Sequence, residues 1–311
     1  MTAYILKRII YTVPIVFGVA LIMFSLFHLV GGDPTYQMLG KHADAKMIAD
    51  LRSELGLDQS YFNQFLLYLK QIMTFDFGRS FSTRQKISEM ILSGLTPSFS
   101  LALLGFCLTL VLSLVIAMIS AYFRGKVIDK VVVVFCVLGM SISALAYILF
   151  GQYFLAYKMG WFPISGYESE MPYRLQYLIM PALIWVAVSV GVDVRFFRTA
   201  LLDEVYQDYV RTARAKGLSD FFVFFKHVLK NSLIPIITYL VIQIPFLMLG
   251  SFLLESFFGI PGIGNMTIDA INNSDFPVLK AIATVMSLMV IFFNLLTDLL
   301  YTVVDPRVRL K

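Results

Sequence analysis

Val131–Tyr157, VVVVFCVLGMSISALAYILFGQYFLAY, runs for 27 residues without an Asp, Glu, Lys or Arg. An α-helix needs about 20 apolar residues to cross a hydrocarbon core ~30 Å thick. Five more runs free of those four residues flank it: Ile9–Gly32, Ser98–Phe123, Leu175–Val192, Asn231–Leu254 and Ala281–Thr297, of 24, 26, 18, 24 and 17 residues. The composition agrees. Of 311 residues, 59% are hydrophobic and 14% charged, with mean hydropathy +0.79, whereas a soluble domain has about a quarter charged. A soluble enzyme, a disulfide-stapled secreted domain and a disordered tail are excluded. The ten-residue alternation of an outer-membrane barrel is absent as well. The expected fold class is an all-α polytopic membrane protein of one domain, 1–311. Six transmembrane helices are expected at about 9–30, 98–123, 131–157, 175–197, 233–256 and 279–304.

Charge placement orients these spans. With the N-terminus inside, both termini are cytoplasmic, and 15 of the 25 Lys and Arg face inward, Lys7, Arg8, Arg124, Lys126, Arg211 and Arg214 among them. Apart from residues 33–96, whose basic and acidic residues balance, the outside then carries only Lys158, Arg174 and Lys280. The first run is longer than a signal-peptide core, and no small-x-small cleavage site closes it before Gly31-Gly32-Asp33, so it is read as an uncleaved span. Cys107 and Cys136 fall within spans and act there as small apolar residues.

The external segment 33–96 is expected to hold two helices. One covers Asp44–Leu55 and closes at Gly56; the next is capped by Ser60 and carries the stripe Phe62, Phe65, Leu66, Leu69, Met73. That stripe must bury itself against the spans or lie in the headgroup layer. Lys158–Arg174, with Trp161, Tyr167 and Tyr173, and Gly259–Pro277 read as outside loops. The inner segment, a loop over 199–232, reads as two short helices joined at a glycine. A helical stretch Ala200–Lys216 precedes Gly217, which is placed where a helix C′ residue needs positive φ; Ser219 or Asp220 then caps a helix opening Phe221-Phe222-Val223-Phe224-Phe225.

Motifs for chemistry within the chain are missing. No G-x-x-x-x-G-K-[ST] cradles a nucleotide, no H-E-x-x-H holds zinc, and no G-x-S-x-G presents a nucleophile. No cofactor is expected in this chain, and no metal site. Asp193, Glu255 and Asp298 are the scarce acids near span ends. The spans carry hydroxyls and amides instead, at Ser113, Ser120, Ser141, Ser143, Gln152, Ser189, Gln243, Ser251 and Asn294. Such groups either join helices or line a wet passage; Ser141, Ser143, Gln243 and Asn294 are the candidates for the passage.

One stretch carries a resemblance. Asp208-Tyr209-Val210-Arg211-Thr212-Ala213-Arg214-Ala215-Lys216-Gly217-Leu218, followed by His227-Val228-Leu229-Lys230-Asn231-Ser232-Leu233-Ile234-Pro235, resembles the EAA loop of binding-protein-dependent ABC importer permeases. It is most similar to the dipeptide/oligopeptide/nickel branch, in which Arg211-Thr212-Ala213 replaces E-A-A and the proline comes late, at Pro235. Gly32-Asp33-Pro34, Glu54-Leu55-Gly56-Leu57-Asp58, Asp76-Phe77-Gly78-Arg79-Ser80, Gly160-Trp161-Phe162-Pro163-Ile164-Ser165-Gly166, Pro261-Gly262-Ile263-Gly264 and Asp305-Pro306-Arg307-Val308-Arg309 fall in that family's order and spacing. The resemblance implies a type I importer permease of the bacterial cytoplasmic (inner) membrane that moves dipeptides or oligopeptides, with nickel or another small solute as the alternative. An ion-gradient-driven secondary transporter is a weaker rival. The resemblance further implies a second permease subunit, a homologous sister, two cytoplasmic ATPase subunits that bind the ATP and Mg, and an external solute-binding protein; nucleic acid is not implied. Asp208, Tyr209, Arg211, Thr212, Ala213, Arg214, Ala215, Lys216, Gly217 and Leu218 are then the ATPase-coupling residues.

Overall fold

The structure is a computed structural model that describes residues 2–30, 35, 44–54, 57–248 and 251–304. Among these the chain is helical, with no strand. The helices are α1 (Thr2–Val30), α2 (Ala45–Glu54), α3 (Tyr61–Thr74), α4 (Ile87–Tyr122), α5 (Val127–Ser141), α6 (Ala144–Phe150, extended by a π-helical stretch Gly151–Lys158), α7 (Tyr173–Val205), α8 (Asp208–Ala215), α9 (Asp220–Val223, continued by a π-turn Phe224–Val228), α10 (Leu229–Met248), α11 (Phe252–Phe258), α12 (Ile263–Asn272) and α13 (Phe276–Val304). Five helical segments are long and apolar enough to cross a membrane, and a bent pair, α5 with α6, makes a sixth if it counts as one span.

Two of the apolar runs are broken where the sequence suggested continuous helix. Val127–Ser141 and Ala144–Lys158 meet at 92°. Ile142 is extended there, and the Ser143 hydroxyl accepts from the Ala146 N–H to start the second helix. The Gly139 carbonyl at the end of the first helix accepts from the Ile142 N–H (3.3 Å) and from the Tyr147 hydroxyl (3.0 Å). The run Asn231–Leu254 likewise divides. Its first helix is described from Leu229 to Met248 and contains Pro235 and Pro245, which have no N–H to give the ladder. The second helix starts at a Ser251 cap whose own N–H is taken by the fully buried Glu255 carboxylate (3.2 Å). Gly56 and Asp305–Arg309, and the side chain of Asp298, lie outside what the structure describes.

The chain forms two compact units: Met1–Ser98 with Pro261–Leu296, and Phe99–Ile260 with Thr297–Lys311. In the first, α3 packs its Phe65, Tyr68, Leu69 and Ile72 on Ala20, Met23 and Phe24 of α1. Ser60 caps α3, accepting from the Asn63 N–H. Of the apolar stripe expected on this helix, Phe65 and Leu69 face the core with Tyr68 beside them, while Phe62, Leu66 and Met73 are exposed. The Asp275 carboxylate, at the foot of α13, accepts from the Ser80 hydroxyl (2.5 Å) and from the N–H groups of Phe81 and Ser82 (both 3.1 Å), which pins that loop.

In the second unit a core of Ala117, Ala121, Val194, Phe197, Leu201 and Ile236 joins α4, α7 and α10. The same core takes in Val205, Val210, Ala213, Val223, Phe224 and Val228, so the segment 205–228 is built onto the helix ends and does not hang from them.

Candidate functional site

The segment after α7 differs from the two short helices expected. α7 runs on through Arg195, Arg198 and Ala200 to Val205, because Phe197, Ala200, Leu201 and Val205 continue its buried face beyond the charge-free run. The short helix is therefore α8, from Asp208, and the aromatic helix after Gly217 is the first part of a continuous path into α10.

Between them lies a tight turn. Gly217 has φ +82°, and its N–H donates to the Arg214 carbonyl (2.9 Å) while the Leu218 N–H reaches Ala213 O (3.4 Å). These are the two bonds of a Schellman cap, which closes the end of α8. A Cβ at 217 would meet no atom within 4 Å, so it is the backbone conformation that calls for glycine. Ser219 then caps the next helix, accepting from the Phe222 N–H (3.4 Å). Arg214 Nε donates to Asp220 Oδ1 (2.9 Å), tying the two sides of the turn.

Ten residues of this element were singled out from the sequence, and they fall into two groups. Ala213 is buried and Tyr209 half-buried; the Tyr209 hydroxyl donates to Glu204 Oε2 (2.5 Å), and burial, with that carboxylate beside it, pushes the phenol up to about 12. Asp208, Arg211, Thr212, Arg214, Ala215, Lys216, Gly217 and Leu218 are exposed, and Phe221, Phe222 and Phe225 are exposed beyond them. Arg211 pairs with Asp208 at 3.7 Å with both side chains largely in solvent, and Lys226 covers the Phe222 ring at 4.7 Å. The result is a firmly seated helix and turn presenting a basic and aromatic outer face.

Beneath it lies a buried hub that reading the sequence missed. Asp129, 4% exposed, accepts from Arg198 Nε (2.7 Å) and Nη2 (2.8 Å), the Ser120 hydroxyl (2.6 Å) and the Gly125 N–H (2.9 Å). It joins the end of α4, the turn at Gly125, the start of α5 and the C-terminal part of α7. The available signal was an acid in the first turn of a helix otherwise entered through Arg124, Lys126 and Lys130.

Of the four passage candidates, three lie in the second unit and Asn294 in the first. Ser141 and Ser143 stand at the bend, the first returning its proton to Val137 O (2.9 Å) and the second serving as the cap. Gln243 is half-buried beside Tyr239, whose hydroxyl donates to Asp193 (2.7 Å). Asn294 is exposed on α13, in the other unit.

Comparison with known proteins identifies this architecture. Residues 113–310 match the family described as "Binding-protein-dependent transport system inner membrane component", and residues 1–102 match "Binding-prot-dependent transport system membrane comp, N-term". The chain belongs to this family. It is 35% identical to the glutathione transport system permease protein GsiC of Salmonella choleraesuis (strain SC-B67) over 311 residues, all of both chains. It is 33% identical, again over the full length of both, to the proteins of that name in Escherichia coli (strain K12) and Shigella flexneri serotype 5b. The protein is thus an inner-membrane permease subunit of an ABC importer with the all-helical type I fold. It works with a solute-binding protein and ATPase subunits and has no nucleotide-binding site of its own.

Proposed function

We propose that this permease subunit passes short peptides inward, and that Asp208–Leu218 is where the ATPase step enters it. The observation that carries the substrate class is full-length identity to permeases named for glutathione, a tripeptide. Import of nickel, the other class that the sequence resemblance leaves open, is not favoured by those relatives. The coupling role is supported by the seating of α8: a helix closed by a Schellman turn and locked to the α7–α10 core can pass on a rigid-body displacement that a floppy loop would absorb. Its partners are a homologous sister permease and two ATPase subunits, which bind the ATP and Mg. Both termini and the segment 199–232 lie in the cytoplasm.

Uptake by the complete importer in proteoliposomes tests the substrate. Labelled glutathione or a dipeptide should accumulate only with ATP and the binding protein present. Accumulation of nickel, with no competition by peptide, would replace the peptide reading. Orientation is tested with single cysteines at Ser219 and Ser82 in a background lacking Cys107 and Cys136. A membrane-impermeant maleimide should label them from opposite sides, and labelling of both from one side would refute the topology.

A further inference from the structure

Lys280 lies about one turn inside the start of α13, so at ~1.5 Å per residue it sits near the headgroup layer and far from mid-membrane. Its ammonium is folded over two rings, 4.0 Å from the Tyr68 centroid and 5.2 Å from that of Phe24. Tyr68 is fixed for this contact. Thr284 gives its one hydroxyl proton to Lys280 O (2.6 Å), so the Tyr68 hydroxyl must donate to Thr284 Oγ1. Ring faces offset only part of what an ammonium loses on leaving water. Among the described residues no carboxylate pairs with Lys280.

Lys280 borders a cavity of about 280 Å³ in the first unit, lined also by His28, Gln64, Gln71 and Arg79. No Asp or Glu lines it among the described residues. Gln64 spends its amide protons on Leu57 O and Gln59 O, and Arg79 spends one on Arg84 O. Donors remain on Lys280, Arg79, His28 and Gln71. Four donors from four elements around one opening suit an anion with several oxygens. The depth says which anion is at hand. α3, which supplies Gln64 and Gln71, exposes Phe62 and Met73 on its opposite side, as a helix lying in the interface does.

We propose that the cavity beside Lys280 binds a phosphate-bearing anion, and that its bearer is an anionic phospholipid of the outer leaflet. The lipid phosphodiester pairs with the Lys280 ammonium and holds α1, α3 and α13 together at the membrane surface.

The test uses the assembled importer, delipidated in detergent and titrated with phosphatidylglycerol, phosphatidylcholine or inorganic phosphate, with bound ligand read by native mass spectrometry. Phosphatidylglycerol should bind the wild type about tenfold more tightly than Lys280→Gln, the scale of one lost charge-assisted hydrogen bond. Lys280→Arg should restore most of that affinity, and phosphatidylcholine should not distinguish the variants. If Lys280→Gln does not assemble, Arg79→Gln, at the exposed rim, should lose about threefold by the same reasoning. Equal phosphatidylglycerol binding in wild type and variant overturns the site. Inorganic phosphate binding as tightly as the lipid, and equally sensitive to Lys280, overturns the lipid as its bearer.

Discussion

The Arg198–Asp129 and Arg211–Asp208 pairs are the same two groups in opposite surroundings. The first is clasped by two guanidinium bonds, with the carboxylate almost wholly buried; the second is a single contact of 3.7 Å between side chains 77% and 97% exposed. The first pair cannot be released cheaply, because the carboxylate has already given up its water and the guanidinium most of it. An exposed pair holds nothing, and so keeps its charges available to another surface. The comparison separates what fixes the segment 199–232 from what that segment, in the proposed coupling role, offers to an ATPase.

The comparison can be broken by substitution. Asp129→Asn leaves the half-buried Arg198 without its charged partner, at an expected cost of about 1–3 kcal/mol. It should appear as a lower melting temperature and lower membrane abundance of the importer. Asp129→Leu with Arg198→Met should recover much of this loss, since it is the orphaned charge that costs. Equal stability of Asp129→Asn and Asp208→Asn would erase the contrast.

An intermediate effect is expected at the turn between the two layers. Gly217→Val forces a β-branched residue into the left-handed region, at about 1–2 kcal/mol locally. The permease should still insert at normal abundance while ATP hydrolysis no longer drives uptake. Normal uptake would remove the turn from the coupling path.

The smallest change in stability belongs to Arg211→Ala, within about 0.5 kcal/mol as for other exposed substitutions. Uptake should nonetheless fall, and raising the salt concentration should bring the wild type toward the variant, since exposed charges are screened over about 8–10 Å. A variant with unchanged uptake at low salt would show that this face meets no partner.

What could be read beforehand follows the range of each signal. The Gly217 turn and the Ser60 and Ser219 caps were legible because a positive φ and an open helix end select particular residue types locally. The apolar runs were legible as membrane segments, but hydropathy is blind to backbone breaks, so the bend at Ile142 and the extended Ser251 were not. On α3 both sides of the helix carry large apolar residues, and periodicity alone could not choose between Phe62 and Tyr68 for the core. The Asp129–Arg198 hub joins residues 69 positions apart, and nothing local to either one announces the other.

Gly217 and Gly191 put two different demands on an amino acid. At Gly191 a Cβ would come within 2.8 Å of the Cys136 carbonyl oxygen, so size is penalised there and each added carbon should make matters worse. At Gly217 there is room, and the objection is to handedness. The loss on going from glycine to L-alanine should therefore be most of the loss on going to any larger L residue. A D-alanine placed there by semisynthesis, whose mirror-image preference includes φ near +82°, should keep the turn intact. The turn at 217 selects for chirality where the packing at Gly191 selects for volume.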